Sequence, residues 1–160
     1  MPQDPIKSPL ITNLILQNDK TEVLLMYRQN TGIYDGMWSL PAGPVLNFES
    51  PRQAIIREAQ EELGVIIEPA FSSVISMRRP DALAPTQLWQ SLVFFFHCHT
   101  WSGELINNEP KKCQRIEFFP LNNLPHDMVP LCIKGLENFV QEIRFSEYHW
   151  GNENQEKIIS

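Results

Sequence analysis

The chain has 160 residues, 42% of them hydrophobic, with 13 Lys+Arg against 19 Asp+Glu, which suits one compact soluble domain whose core needs neither disulfides nor a structural metal. A net charge of −6 argues against a nucleic-acid partner, because phosphate-backbone affinity comes from Lys and Arg; a phosphate substrate would need positive charge from elsewhere. The one long apolar run, Leu92 to Phe96, is too short to cross a bilayer, and Met1 to Lys7 carries acid and proline in place of a signal-peptide core, so no membrane partner and a cytoplasmic location are expected.

Leu10 to Leu16 and Glu22 to Arg28 are rich in aliphatic residues and flank the polar turn Gln17-Asn18-Asp19-Lys20, so they read as a strand pair. A loop from Asn30 to Gly36 precedes a short strand, Met37 to Leu40, and Pro41-Ala42-Gly43-Pro44 is expected to preclude regular pairing. Ser50-Pro51-Arg52-Gln53 places an N-cap serine before a first-turn proline, with glutamine three residues on, and Gly64 supplies a stop. These signals predict a helix from Pro51 to Leu63. Ser73 to Met77 and Leu88 to Trp101 read as strands, the second apolar on both faces, which implies a sheet covered on both sides. After a further strand, Ile116 to Phe119, the residues Val129, Ile133, Leu136, Val140 and Ile143 repeat at steps of four and three. That stripe predicts an amphipathic helix with Pro130 in its first turn.

The sum is an α/β fold with a mixed sheet between helices, formed by one domain over residues 1–150, and a polar, frayed tail from Gly151 to Ser160. Cys98, Cys113 and Cys132 are odd in number and widely spaced without a CxxC pair, so they read as reduced structural thiols and not as a zinc site.

At 100° per residue, Ile55, Ile56, Ala59 and Leu63 share an arc that should be buried, and Glu58, Glu61 and Glu62 fan across the next one. Side chains three or four positions apart on a helix have Cβ atoms about 5–6 Å apart, so three like charges converge at the edge of the core. Unrelieved, that is mildly destabilising. A hard divalent cation, Mg²⁺ or Mn²⁺, would reverse the sign and supply the charge that a phosphate substrate requires. Taken alone, the run also suits a solvated helix face with an Arg57–Glu61 pair.

The surroundings decide between these. From Gly43 the chain runs five residues to Glu49, then seven to Arg57-Glu58-Ala59-Gln60-Glu61-Glu62-Leu63-Gly64-Val65. This run resembles a complete Nudix box, the signature of the Nudix hydrolase family, in the strand-loop-helix context that the motif requires. Trp38-Ser39-Leu40-Pro41-Ala42-Gly43 is similar to the family's approach to the box, and Phe118-Phe119-Pro120-Leu121 with Leu124-Pro125 to a segment before its last helix. The resemblance covers most of the chain, although only the box is specific. It implies an α/β/α Nudix sandwich and metal-dependent hydrolysis of nucleoside diphosphates linked to another moiety. It also implies Glu58, Glu61 and Glu62 as metal ligands with the Ala42 carbonyl as a further donor, Glu49 and Arg57 as support, and Gly43 and Gly64 as conformational residues at a loop turn and a helix end. Family members differ in which glutamate accepts the proton of the attacking water, so Glu61, Glu62 and Glu109 stay open as the base. Two departures bear on loop shape: Ala42 replaces a frequent glycine, and Asn47-Phe48 stands where glycine and an acidic residue are common.

Weaker signals surround the box. Arg28 at a strand end suits a substrate phosphate or a plain surface cation, and of Arg78 and Arg79 at most one can face a site. His97 and His99 share a strand face without a third ligand and are left out of the site. Trp38, Trp89 and Trp101 are large enough to stack a base, but core is the commoner use of buried aromatics. The expected substrate is a small nucleotide: a nucleoside triphosphate, ordinary or oxidised, giving the monophosphate and pyrophosphate. A second reading is a nucleotide sugar such as ADP-ribose, since Pro80 lies fifteen residues beyond Val65, and a third is a non-catalytic nucleotide-binding module. Either a monomer or a homodimer suits the composition.

Overall fold

The structure, a computed structural model, describes residues 3–80, 88–150 and 155–157. Its elements in chain order are β1 (Leu10–Leu16), β2 (Val23–Arg28), β3 (Trp38–Ser39), β4 (Ala42–Pro44), α1 (Pro51–Leu63), β5 (Ile66–Ile67) and β6 (Ala70–Pro80). There follow β7 (Leu88–Cys98), β8 (Trp101–Ser102), β9 (Cys113–Phe119), α2 (Pro130–Gln141), β10 (Ile143–Tyr148) and β11 (Gln155–Lys157). A six-stranded sheet has the order β11-β10-β6-β7-β1-β4, a three-stranded sheet the order β3-β2-β9, and β5 pairs with β8. The large sheet is mixed, because β1–β7 and β6–β10 are parallel while its other pairs are antiparallel.

Strand alternation divides the core. Leu14, Leu16 and Phe96 point to one side and pack with Ile55, Ala59 and Leu63 of α1. Ile15, Val93 and Phe95 point to the other and pack with Cys132 and Leu136 of α2. The sheet is therefore covered on both faces, as the apolar run in β7 implies. All three cysteines are free and buried, and among the described residues no helix is long and apolar enough to cross a membrane.

Several expectations are corrected. β1 and β2 are not a strand pair: they belong to different sheets, joined by a single bridge at Gln17↔Val23. β1 instead finds a seven-residue parallel partner in β7, and β2 lies against β9. The Pro41–Pro44 segment does pair, with Asn13↔Ala42 and Ile11↔Pro44 in register; β4 is the sheet edge, where a missing proline N–H leaves no gap in a ladder. β6 is longer than Ser73 to Met77, and the long strand ends at Cys98, with Trp101–Ser102 separate.

In α1, Ala54, Ile55, Glu58, Ala59 and Leu63 are buried and Ile56 only partly so. In α2 the buried face is Cys132, Gly135, Leu136 and Asn138, while Val140 is 61% exposed and Ile143 starts β10. The helix turns its small residues inward because Phe95 leaves no room for larger ones: a Cβ on Gly135 would lie 2.1 Å from the Phe95 ring. Within the expected frayed tail, Gln155–Lys157 form an edge strand on β10.

Candidate active site

Helix α1 carries the acidic residues, and both of its ends are fixed by local chemistry. The Ser50 hydroxyl accepts the Gln53 N–H at 3.1 Å and the Gln53 side chain accepts the Ser50 N–H at 2.8 Å, closing a capping box. Gly64 takes a left-handed φ of 70° and its N–H donates to the Gln60 carbonyl, the conformation for which glycine is suited. With the apolar face locked into the core, the three carboxylates step outward: Glu58 is 7% exposed, Glu62 is half-buried and the Glu61 side chain is 51% exposed.

They open into a cavity of about 370 Å³. Its wall also includes Ala42 and Gly43 of β4, Arg28 at the end of β2, and Glu109 with Lys112 from the loop before β9. Glu49 and Gly64 do not line it, and act through neighbours. The Arg57 guanidinium donates to Glu49 Oε1 at 2.8 Å and Oε2 at 3.1 Å, to Glu58 Oε1 at 2.8 Å, to Glu61 Oε2 at 3.2 Å and to the Pro44 carbonyl at 3.0 Å. It therefore pairs with both Glu49 and Glu61 and also ties α1 to β4. Arg57 and the Leu46 N–H hold the Glu49 carboxyl below the usual carboxylate range.

Gly43 serves a different purpose from the loop turn expected of it. It has no positive φ, but a Cβ there would lie 2.0 Å from the Glu58 carboxylate, so the glycine makes room for that side chain. Glu62 Oε2 accepts the Ala42 N–H at 3.2 Å. Burial raises the Glu58 pKa against the pull of Arg57. Burial, followed by the charges of Glu58 and Glu109, raises that of Glu62 well above the ordinary value. The departure at Asn47-Phe48 has a backbone cost, since Phe48 adopts a φ of 67° that side chains other than glycine rarely take.

A family model described as the NUDIX domain matches residues 7–139. The chain belongs to the Nudix hydrolase family. An uncharacterized Nudix hydrolase, YvcI, of Bacillus subtilis is 31% identical over 117 residues, covering 72% of this chain and 70% of its own. An ADP-ribose pyrophosphatase of Methanocaldococcus jannaschii is 33% identical over 111 residues, 69% of this chain and 61% of its own length. The crystal structure of a MutT Nudix hydrolase from Burkholderia pseudomallei matches with a TM-score of 0.71 at 26% identity, covering 82% of this chain and 98% of that one.

As a Nudix hydrolase the chain is an enzyme, and its family generally uses divalent metal ions. The donor chemistry of the cavity fits such an ion, because four glutamates line it and burial, with neighbouring carboxylates, raises the pKa values of Glu58 and Glu62. Among the described residues no three His, Cys, Asp or Glu side chains stand at chelating range, because Arg57 draws Glu58 and Glu61 toward itself and the Ala42 amide holds Glu62.

The other sequence candidates lie elsewhere. His97 is half-buried with its ring 5.2 Å from that of Phe139. Trp38 is core, edge-on to Tyr27 and Phe119, and Trp101 stacks on Phe118. Arg78 lies over the Trp150 ring; the side chains of Arg79, Pro80 and Trp89 lie outside the described residues. Sequence reasoning missed Lys112, Asn30 and Thr31 on the cavity wall. The signal that places Lys112 there is the β2–β9 pairing, which sets Arg28 opposite Cys113 across a separation that no local pattern spans.

Proposed function

We propose that this Nudix domain hydrolyses a nucleoside triphosphate, ordinary or oxidised, to the nucleoside monophosphate and pyrophosphate, with Mg²⁺ or Mn²⁺ as its cofactor. One observation carries the reading: Glu58, Glu61, Glu62 and Glu109 share one cavity with Arg28 and Lys112. Acidic groups to hold a cation and accept a proton thus stand beside cations suited to phosphate. Glu58, Glu61 and Glu62 with the Ala42 carbonyl would hold the metal, which when bound would supply Lewis acidity that offsets phosphate charge and makes water more acidic.

The chain's own groups do the rest. As the oxygen of water bonds to phosphorus, Glu61, Glu62 or Glu109 accepts its proton, and the bridging P–O bond breaks to release pyrophosphate. Burial gives Glu62 a raised proton affinity, which favours it among the three as the acceptor. Arg57, anchored by Glu49, positions Glu58 and Glu61 and touches no substrate. Arg28 contacts a substrate phosphate, Gly43 leaves the space in which Glu58 lies, and Gly64 ends the helix so that Glu61 and Glu62 sit in its last turn.

The relative named ADP-ribose pyrophosphatase favours a second reading, in which the substrate is a nucleotide sugar. Pro80, which suggests that reading in the sequence, stands well along β6 from the level of the cavity. Ala42 stands level with Asn13, Phe95 and Ser73 across the sheet, and Pro80 lies seven residues farther along β6 than Ser73, about 23 Å at strand spacing.

The test is release of pyrophosphate or orthophosphate from a panel of nucleoside triphosphates, nucleotide sugars and dinucleoside polyphosphates, with Mg²⁺, Mn²⁺ or chelator. Metal-dependent pyrophosphate release from triphosphates is expected, and Glu61→Gln or Glu62→Gln should cut it by about 100-fold or more with the circular dichroism unchanged. Turnover of ADP-ribose alone would replace the reading by the second, and tight nucleotide binding without turnover would make the domain a regulatory module.

A further inference from the structure

The cavity holds four glutamates and two cations, and the cations differ in what occupies them. Arg28 is strapped to its own loop, with Nε donating to the Ile33 carbonyl at 2.9 Å and Nη2 to the Thr31 hydroxyl at 3.1 Å. Nearby Arg57 is spent on Glu49, Glu58, Glu61 and the Pro44 carbonyl. Lys112 is built in the opposite way. Its main chain is fixed, the N–H donating to the Glu109 carbonyl at 3.0 Å and the carbonyl accepting the Gln29 N–H at 2.9 Å. The preceding carbonyls of Pro110 and Lys111 accept the side-chain amides of Gln29 at 2.8 Å and Asn30 at 3.1 Å. Its ammonium group has no ion pair or hydrogen bond with any described residue, although Glu109 is three positions away and lines the same wall.

A cation present only to neutralise the glutamates would pair with one of them. A fixed main chain with an uncommitted ammonium on the wall of a phosphate-hydrolysing cavity fits a different use, because the lysine head is a compact point charge suited to phosphate oxygens. We infer that Lys112 is a substrate-binding residue of this enzyme, contacting the phosphate chain of the nucleotide. The inference rests on the reading of the site as a nucleotide hydrolase. It assigns Lys112 to recognition and leaves bond breaking to the carboxylates, so its loss should appear in KM and not in kcat.

The experiment compares Lys112→Met, Lys112→Arg and Lys111→Met with the wild-type chain, Lys111 being exposed like Lys112 but not on the cavity wall. For the best triphosphate of the panel, Lys112→Met should raise KM by about tenfold with kcat within about threefold. Lys112→Arg should recover most of the difference, Lys111→Met should leave KM unmoved, and all three should melt with the wild type. An unchanged KM in Lys112→Met, an equal rise in Lys111→Met, or a rise that follows a lowered melting temperature without rescue by arginine would overturn the assignment. The reading beneath it fails separately. If the wild type hydrolyses ADP-ribose and no triphosphate, the same variants are judged on KM for ADP-ribose. If it hydrolyses nothing, they are judged on the Kd of a non-hydrolysable triphosphate, with an unchanged constant overturning the role of Lys112 in either case.

Discussion

A hydrogen is the only substituent that Glu58 leaves room for at the α-carbon of residue 43, since a methyl there would sit 2.0 Å from the carboxylate carbon. Gly43→Ala should therefore push Glu58 off its place against β4 and away from Arg57, lowering kcat by about 100-fold and weakening Mg²⁺ binding. Steady-state kinetics and calorimetric titration of the metal check this; wild-type values for both would show that the carboxylate relocates without consequence. The importance of Gly43 was legible from its place in the box, but its reason was not, because the contact joins a sheet edge to a helix fifteen residues on and the backbone there is ordinary. The Arg57 bonds were more open to reading, since Arg57 and Glu61 are one helical turn apart, an intrahelical spacing that needs no knowledge of the fold.

At the scale of elements, the last turn of α1 has every terminal carbonyl satisfied. Gly64 N–H bonds to Gln60, the Asn108 side chain to Glu61, the Asn108 N–H to Glu62 and the Ile106 N–H to Leu63. Helix ends otherwise leave such groups without an intrahelical partner, so the loop before β9 is keyed to the turn that bears Glu61 and Glu62. Asn108→Ala removes one of these bonds and should cost about 1 kcal/mol, read as a melting temperature lower by about 3 °C; an unchanged melt would show that water replaces the amide. Helix α1 was legible throughout because Ser50, Pro51, Gln53 and Gly64 are local signals. Helix α2 was legible as a helix but only partly in its buried face. That face runs through Cys132, Gly135, Leu136 and Asn138, so within the helix only Leu136 of the predicted stripe is buried, and large aliphatic residues do not mark a face built mostly from small and polar ones. Asn138 is tolerated there because its amide donates to the Ser146 hydroxyl at 2.7 Å, a partner on a strand that the sequence reading did not foresee.

For the molecule as a whole, the site opposes folding until something relieves its charge. Glu58 and Glu62 have pKa values raised above those of the unfolded chain, so the folded state binds protons more readily and stability falls as pH rises through the raised values. Glu49 has the opposite sign below the ordinary carboxylate range, and His97, whose pKa burial lowers, has it around the ordinary imidazole range. Relative to Glu62→Gln, which lacks the buried carboxyl but keeps His97, metal-free protein should accordingly lose melting temperature as pH rises. Saturating Mg²⁺ should remove or reverse that trend, because ligation requires the ionised carboxylates, and should add about 2.7 kcal/mol at a hundredfold excess over Kd. Differential scanning calorimetry of both proteins across pH, with and without the ion, measures this; a metal-free difference between them that is flat or rises with pH would contradict the charge balance. The sheet order was beyond the sequence because β1–β7 and β2–β9 join segments far apart in the chain, while turn residues report only on neighbours.

The loop before β9 also bears on how such an enzyme changes over generations. Its main chain is clamped to α1 at one end and to Gln29 and Asn30 at the other, whereas the cavity-facing side chains of Glu109 and Lys112 do not enter those clamps. With the role inferred for Lys112, an exchange at that position would alter what the enzyme accepts while α1 stays in place, so new substrate preferences could arise by single substitutions without first rebuilding the frame.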